Sequence, residues 1–227
     1  MFRLPYVPKS EELVDRAFSS GAKNAKMARG RGPKIQDKIL TGEIRRVEVM
    51  SAVINGELDA VVTQFPRYED LTEFQRHLLD LKIDKDRYKK SLATVKWCSE
   101  RISFLKNKTL RKLKTQKDTQ QSKAFMGRCD SFVKRINPEL KYLVDARKIL
   151  TAFPPIRADT PTLVVAGLPN AGKSTYTVSL TGSKIKIASY PFTTVEIMVG
   201  YKKIKYTDYQ IIDSPGILDR PMHERNT

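Results

Sequence analysis

The sequence predicts a fold in two parts, an all-α helical bundle followed by an α/β region built around a phosphate-binding loop. Three observations support this prediction. Apolar residues recur every three to four positions through the N-terminal part, a glycine-lysine motif follows a β-rich segment, and a proline-containing stretch separates the two. We therefore predict a helical bundle over residues 1–153, a linker over 154–160 and an α/β domain over 161–227.

Helical periodicity is clear in three stretches of the N-terminal part. Breaks fall at Gln64–Pro66, at Ile83–Asp86 and at Asn137–Pro138, where Asn caps and Pro opens the next helix. Four or five amphipathic helices in this length predict a bundle. The periodic apolar positions are Ile44, Val47, Met50, Ile54, Leu58 and Val61, then Tyr88, Leu92, Val95, Ile102 and Leu105, and later Phe125, Cys129, Phe132 and Ile136.

Positive charge is concentrated in the predicted bundle. The net charge is +17, and residues 161–227 hold only 8 of the 42 Lys and Arg and 5 of the 25 Asp and Glu. Six cations lie within Lys106–Lys117, predicted as a helix, and six more within Ala22–Lys38, predicted as a basic loop. Such an excess is typical of a protein that binds a polyanion such as RNA. Few aromatic residues interleave with these runs, which favours recognition of phosphates and RNA shape over base stacking.

The α/β region begins with the phosphate loop. Residues Gly167–Ser174 fit the pattern G-x-x-x-x-G-K-[ST] and follow the β-rich segment Pro161–Ala166. A glycine loop between a strand and a helix directs backbone N–H groups at polyphosphate oxygens, while Lys173 reaches the β- and γ-phosphates and the Ser174 hydroxyl binds Mg²⁺. The predicted nucleotide contacts here are Gly167, Leu168, Pro169, Asn170, Ala171, Gly172, Lys173, Ser174 and Thr175.

Two further elements are typical of a nucleotide-dependent switch. The predicted strand Tyr206–Ile212 leads into Asp213–Gly216, where the Asp holds Mg²⁺ through water and the Gly N–H senses the γ-phosphate. Ser189–Thr194 forms a loop before the predicted strand Val195–Tyr201, and a threonine there can add a hydroxyl ligand to Mg²⁺. The predicted contacts in these elements are Phe192, Thr193, Thr194, Asp213, Ser214, Pro215 and Gly216. Lys173, Thr194 and Gly216 are the predicted catalytic residues, and Ser174, Thr194 and Asp213 the predicted metal ligands.

These motifs carry a family resemblance. Gly167–Ser174, Tyr190–Thr194 and Asp213–Ile217 together resemble the Obg-related branch of translation-factor GTPases. The continuation Ile217–Asn226 resembles the nucleolar GTP-binding protein 1 family, the Nog-type factors of large-ribosomal-subunit assembly, and a long helical region before the GTPase domain also fits that family. The resemblance implies an α/β fold with the N-terminal half of a P-loop GTPase domain, preceded by an all-α helical bundle.

The resemblance also implies GTP and Mg²⁺ as cofactors, with Thr194 as the switch ligand and Thr193 as its neighbour. The chain departs from the wider GTPase pattern at Ile217, where many small GTPases carry a water-positioning Gln. An aliphatic side chain cannot orient an attacking water, so we expect slow or externally assisted hydrolysis. Asn170 stands where several relatives hold a K⁺ ion, which makes K⁺ a candidate additional cofactor.

No Asn-Lys-x-Asp element, which reads guanine in GTPases, occurs in the 227 residues. The sequence therefore leaves the choice between GTP and ATP open. A GTPase domain needs roughly as many residues again after the D-x-x-G element. We expect the chain, which ends after the second switch, to be part of a longer protein; a truncated module that binds nucleotide poorly is the alternative.

The resemblance implies a GTP-binding assembly factor for the large ribosomal subunit, which binds ribosomal RNA through the helical domain and hydrolyses GTP slowly as a timing switch. Its expected partners are ribosomal RNA and large-subunit ribosomal proteins or assembly factors, with the protein a monomer inside a large ribonucleoprotein of the nucleolus and nucleus. Two alternatives stay open. One is an RNA-binding scaffold with little or no turnover, and the other is an Obg-related translation factor.

Other chemistry has little support in the sequence. Cys98 and Cys129 occupy core-like helical positions, and with only His77 and His223 beside them no zinc spacing arises. Trp97 adjoins an apolar helix face and is interpreted as a packing residue. No signal-peptide core and no apolar run long enough to span a bilayer is present, so we expect neither secretion nor membrane partners.

Overall fold

The computed structural model describes seven segments of the chain, and all structural statements below refer to these residues. They are 4–29, 34–80, 83–152, 156–157, 160–182, 185–189 and 196–213.

The N-terminal part contains six α-helices within the described residues, more than the four or five predicted. The additional helix α1 buries Leu13, Ala17, Gly21 and Ala25, which recur at four-residue steps along one side. The predicted breaks at Gln64–Pro66 and Ile83–Asp86 flank the short helix α3. The elements are α1 Ser10–Ala28, α2 Ile35–Gln64, a 3₁₀ helix Tyr68–Asp70, α3 Glu73–Asp80, α4 Lys85–Gln116, α5 Gln120–Arg135 and α6 Asn137–Thr151.

The prediction of a basic loop over Ala22–Lys38 is wrong at both of its ends. Helix α1 continues to Ala28 and α2 begins at Ile35, so Lys23, Lys26 and Lys38 are helical. Lys, Ala and Met are good helix formers, and the extended helix buries Ala25, which together favour helix over loop. Residues 30–33 lie outside the described segments.

The bundle core lies between α1, α2, α4 and α5, which pack on one another. Helices α1 and α2 approach closely at Gly21, where an added Cβ would come within 2.5 Å of the Met50 Cγ atom. Large side chains fill the remaining space without exposure, as expected for a self-supporting core. They include Leu13, Met50, Ile54, Leu58, Ile102, Leu113 and Phe125.

A buried carboxylate joins three helical segments of the bundle. Glu43 on α2 is 5% exposed and accepts hydrogen bonds from Arg29 Nη2 and Arg46 Nη1, each at 2.9 Å, and from Ser122 Oγ at 2.6 Å. A buried charge is tolerated only when paired and hydrogen-bonded, and these three donors meet that need. The contacts tie the end of α1 and the start of α5 to α2.

The chain divides into two compact units. One comprises residues 4–71 and 83–147, and the other groups residues 72–82 with 148 onward. This division places α3 and the last turn of α6 in the second unit. The predicted domain boundaries at residues 153 and 161 stay predictions.

The second unit holds a four-stranded mixed sheet in the order β1-β4-β3-β2. Strand β1 is parallel to β4, whereas β4 with β3 and β3 with β2 are antiparallel. Three strands were predicted, and β2 is an additional one whose short Ile-Lys-Ile alternation gives a weak signal. The elements are β1 Thr162–Val165, α7 Lys173–Thr181, β2 Ile185–Ser189, β3 Glu196–Ile204 and β4 Thr207–Asp213.

Helix α7 packs on the sheet at a position that only glycine suits. At Gly200 of β3, an added Cβ would lie 2.4 Å from the Thr181 Cγ2 atom of α7. This close approach holds the helix that follows the phosphate loop against β3. Within the described residues, no helix combines the length and apolar character needed to cross a membrane.

Candidate nucleotide-binding site

The sheet places the two predicted phosphate-site elements side by side. Strand β1 ends at Val165 and leads into the loop of residues 166–172, while the parallel neighbour β4 ends at Asp213. The register pairs Val165 with Asp213. Ligands of α/β sheets bind at the carboxyl ends of parallel strands, and both elements reach that edge.

The loop has a backbone that turns sharply into α7. Gly172, the N-cap of α7, has φ 76°, and Asn170 has φ 61°. Both values lie in the left-handed region, which Gly adopts freely and Asn more readily than most residues. The first N–H groups of α7 have no intrahelical partner, and with the helix dipole they form an anion site.

Lys173 already lies across the loop. Its ammonium donates a hydrogen bond to the Leu168 carbonyl oxygen at 2.7 Å, and the side chain is half-buried. An anionic oxygen can replace this carbonyl as the acceptor of the Lys173 ammonium, because an ammonium binds a charged acceptor more strongly than a neutral one. The remaining loop residues Leu168–Ala171 are exposed, with Leu168 at 63%.

The strongest electrostatic feature of the site is the pair formed by Ser174 and Asp213. The Ser174 hydroxyl donates to Asp213 Oδ2 at 2.5 Å, and Asp213 is 6% exposed. The second carboxylate oxygen, Oδ1, is buried and has no hydrogen-bond partner among the described residues. A buried, unsatisfied carboxylate oxygen is costly unless a cation or donor reaches it. A hydroxyl and a carboxylate are ligands that Mg²⁺ accepts, so these residues fit the predicted metal.

Several predicted site residues lie outside the described segments. They are Phe192, Thr193 and Thr194 of the first switch and Ser214, Pro215 and Gly216 of the second, together with Ile217. Their assignments, and those of Gly167–Thr175 and Asp213 to nucleotide contact, stay predictions. Among the described residues, no group of three or more His, Cys, Asp or Glu side chains is arranged to hold a metal ion.

One residue beside the site was missed by sequence reasoning. Gln210 of β4 is fully buried, donates through Nε2 to Thr162 Oγ1 at 2.9 Å and accepts from the Arg157 N–H at 2.8 Å. Arg157 also places its guanidinium 4.9 Å from the Tyr201 ring centroid. Gln210 thus fastens the predicted linker to the strand that carries Asp213. Its signal was a polar amide directly before the apolar pair Ile211–Ile212 of the strand.

The basic run of the bundle forms the last part of α4, as predicted. Lys108, Arg111 and Lys114 are exposed on this helix, while Leu113 is buried. Helix α4 ends at Gln116, and Lys117 has φ 52° with an N–H that donates to the Leu113 carbonyl. Cations near a helix C-terminus are favoured by the helix dipole, so part of this charge also stabilises the helix.

The fold and the site define a phosphate-loop protein with a basic helical domain before the α/β unit that carries the loop. Residues 2–156 match the family described as NOG1 N-terminal helical domain, and residues 162–227 match the family described as 50S ribosome-binding GTPase. The chain belongs to the NOG1 family. The family resemblance and the predicted fold class, an all-α bundle followed by the start of a P-loop GTPase domain, are therefore confirmed.

Individual relatives agree with this membership. An uncharacterized protein of Methanocaldococcus jannaschii is 35% identical over 99% of this chain and 64% of its own length. Nucleolar GTP-binding protein 1 of Arabidopsis thaliana is 33% identical over 99% of this chain, and that of Encephalitozoon cuniculi is 32% identical over 97%. The chain spans 34% and 42% of these two relatives.

Proposed function

We propose that the chain is the RNA-binding and GTP-binding part of a factor that assembles the large ribosomal subunit in the nucleolus. The observation that carries the nucleotide half is the Ser174–Asp213 pair, whose orphaned carboxylate oxygen lies at the same sheet edge as the phosphate loop. The names of the relatives and the GTPase family match support GTP over ATP.

In this proposal each residue of the loop has a physical task. The loop N–H groups and the α7 N-terminus bind the phosphate oxygens, and the Lys173 ammonium exchanges the Leu168 carbonyl for the β- and γ-phosphates. Ser174 and Asp213 hold Mg²⁺, which when bound neutralises charge on the phosphates. Thr194 and Gly216 complete the switch, and Ile217 keeps hydrolysis slow because it cannot position water.

The RNA half of the proposal rests on charge. Residues 1–160 hold 34 of the 42 cations of the chain, and the α4 run exposes several of them on a helix. Phosphate neutralisation by such a surface releases counterions and gives affinity without base reading. The alternative, a scaffold with little turnover, is favoured by Ile217; the intact Lys173, Ser174 and Asp213 favour a functioning switch.

The metal assignment is tested by titrating fluorescent GTP onto the protein with and without Mg²⁺. Wild-type affinity should rise on adding Mg²⁺, and Ser174→Ala should lose most of that rise because one ligand is gone. Ser179→Ala, which removes an exposed hydroxyl further along α7, is the matched control and should keep the rise. A wild-type affinity that Mg²⁺ does not change contradicts the proposed metal site.

The RNA assignment is tested by the salt dependence of ribosomal RNA binding. The triple variant Lys106→Glu, Arg111→Glu, Lys114→Glu should flatten the log–log slope by about two to three, at roughly 0.7–0.9 per lost phosphate contact. The control variant reverses three exposed lysines of the sheet unit, Lys202, Lys203 and Lys205. Equal slopes for both triple variants would remove the α4 run from the RNA interface.

A further inference from the structure

An open cleft of about 450 Å³ lies between helices α4 and α5. We name it the α4–α5 cleft. Its lining includes Arg101, Phe104 and Lys108 of α4 and Arg128 and Phe132 of α5. The three α4 residues recur at three- and four-residue steps, and the two α5 residues are four apart, so each set forms one helix face. The volume lies in the range of small-ligand sites.

Exposed aromatic rings lie in the cleft, as Phe104, and next to it, as Trp97, which contacts the lining residue Phe132. Phe104 is 59% exposed, and Trp97, one turn before Arg101 on α4, is 40% exposed. Trp97 packs its ring against Phe132 with centroids 5.9 Å apart and an interplanar angle of 72°. The edge-to-face contact leaves ring surface uncovered. Packing in the bundle core therefore does not explain why these exposed positions carry aromatic side chains.

Cations surround the rings. The Arg101 guanidinium lies 5.5 Å from the Phe104 ring centroid, and the Arg135 guanidinium lies 5.6 Å from the Trp97 ring. Lys108 and Arg128 are exposed at the cleft. In the part of the chain that the structure describes, the cleft is lined by no carboxylate and none of these cations forms a salt bridge. The charges are available to an anion.

We propose that the α4–α5 cleft binds an unpaired stretch of RNA, with bases stacked on the exposed faces of Phe104 and Trp97 and phosphates on Arg101, Lys108 and Arg128. This inference rests on the proposed RNA-binding function and deepens it. Aromatic rings beside arginines in a positive groove are the combination that holds single-stranded nucleic acid, because every base has a face to stack and every linkage a charge. An acidic protein segment would use the cations but not the open rings.

The cleft changes an expectation drawn from the sequence. Few aromatic residues interleave with the basic runs, so phosphate and shape recognition was favoured. The fold brings Phe132 of α5 beside Trp97 of α4 and puts Lys108 of the basic run in the same cleft as Phe104. The basic run therefore continues into a surface that can stack bases.

Trp97 provides a direct readout because it is the single tryptophan of the chain. Tryptophan emission of the protein is recorded while a single-stranded polyuridine, or an RNA duplex of equal length, is added at low salt. The single strand should quench Trp97, since a stacked base contacts its ring. The duplex should bind through phosphates with little quenching, because its bases are already paired and stacked.

The variant Phe104→Leu keeps an apolar side chain and removes one stacking ring. It should weaken single-strand binding about fivefold or more and leave duplex binding unchanged. Phe74→Leu is the matched control, since Phe74 is 41% exposed and belongs to α3, which is part of the other compact unit. Circular dichroism of both variants checks that helicity is retained.

The outcomes separate this inference from the proposed function. Equal quenching by duplex and single strand, or equal single-strand affinity for Phe104→Leu and wild type, overturns the cleft while RNA binding by the bundle stands. RNA binding that leaves the Trp97 emission unchanged also overturns the cleft proposal. An acidic protein segment then becomes the expected occupant of the cleft. Failure to bind either RNA overturns the cleft and the RNA half of the proposed function, while the GTP half stands.

Discussion

The bundle and the sheet unit, which carries the phosphate loop, use their side chains differently. In the bundle, Met50, Ile54 and Ile102 are completely buried. In the second unit, Leu163 and Val164 of β1 are 50% and 58% exposed, and Val178 of α7 is 46% exposed. Among the described residues, the bundle therefore encloses a core of its own, whereas the apolar side chains of β1 and α7 are only partly covered.

The same contrast holds for buried polar groups. The bundle carboxylate of Glu43 has three hydrogen-bond donors, while the site carboxylate of Asp213 has one hydroxyl and an unsatisfied oxygen. A satisfied buried carboxylate supports a fold; an unsatisfied one at a phosphate loop is where a ligand is expected. The two buried carboxylates therefore differ in kind: Glu43 joins helices of the bundle, whereas Asp213 has an oxygen left for a ligand.

The largest effect should come from a cavity in the bundle core. Ile102→Ala removes a completely buried side chain of α4 and should lower the free energy of unfolding by about 2–5 kcal/mol. Leu163→Ala, at a half-exposed position of β1, should cost clearly less. Urea unfolding followed by circular dichroism measures both. Equal losses of unfolding free energy for the two variants would contradict this difference between the two units.

The reactivity of the thiols should show that the interior of the bundle is closed to solvent. Cys98 and Cys129 are the only two cysteines, both lie in the bundle, and burial raises the pKa of each thiol to about 12. At pH 8 the native thiols should react with a disulfide reagent about a hundredfold or more slowly than in urea. Rapid labelling of the native protein would show that the core opens readily.

The raised thiol pKa values also predict how stability changes with pH. Because the folded thiols hold their protons at higher pH than the unfolded ones, their contribution is complete below the unfolded pKa of about 8.5. It decreases as the pH rises from there towards 12. Unfolding free energies of wild type and a Cys98→Ala variant, compared between pH 7 and pH 10, measure this loss; a smaller pH dependence is expected in the variant.

At the site, the main effect should be on binding rather than on stability. Lys173→Ala removes the ammonium that now bonds the Leu168 carbonyl, and GTP affinity should fall about tenfold or more, as for a lost charged hydrogen bond. The urea midpoint of the helical signal should stay unchanged. Unchanged affinity in a fluorescent-nucleotide titration would contradict the assignment of Lys173.

How far the sequence predicts these features depends on the range of the interactions involved. The phosphate loop between β1 and α7 is encoded locally, so its position was predicted, as was the strand that ends at Asp213. Helix α1 carries Leu13, Ala17, Gly21 and Ala25 at four-residue steps, a pattern that the prediction overlooked, whereas β2 was missed because it is short. The α4–α5 cleft could not be predicted, since Trp97 and Phe132 meet only after two helices pack.

The smallest predicted effect concerns Asn170 and K⁺. The backbone at Asn170 has φ 61°, so Asn170→Ala would add strain, whereas Asn170→Gly removes the side-chain oxygen and keeps the backbone relaxed. Single-turnover GTP hydrolysis is measured in KCl and in NaCl at equal ionic strength. If Asn170 holds the ion, wild type should be severalfold faster in KCl and Asn170→Gly should be indifferent to the cation. A wild-type rate equal in both salts removes the K⁺ site, and a variant that keeps the K⁺ effect shows that the ion is held by other groups of the loop.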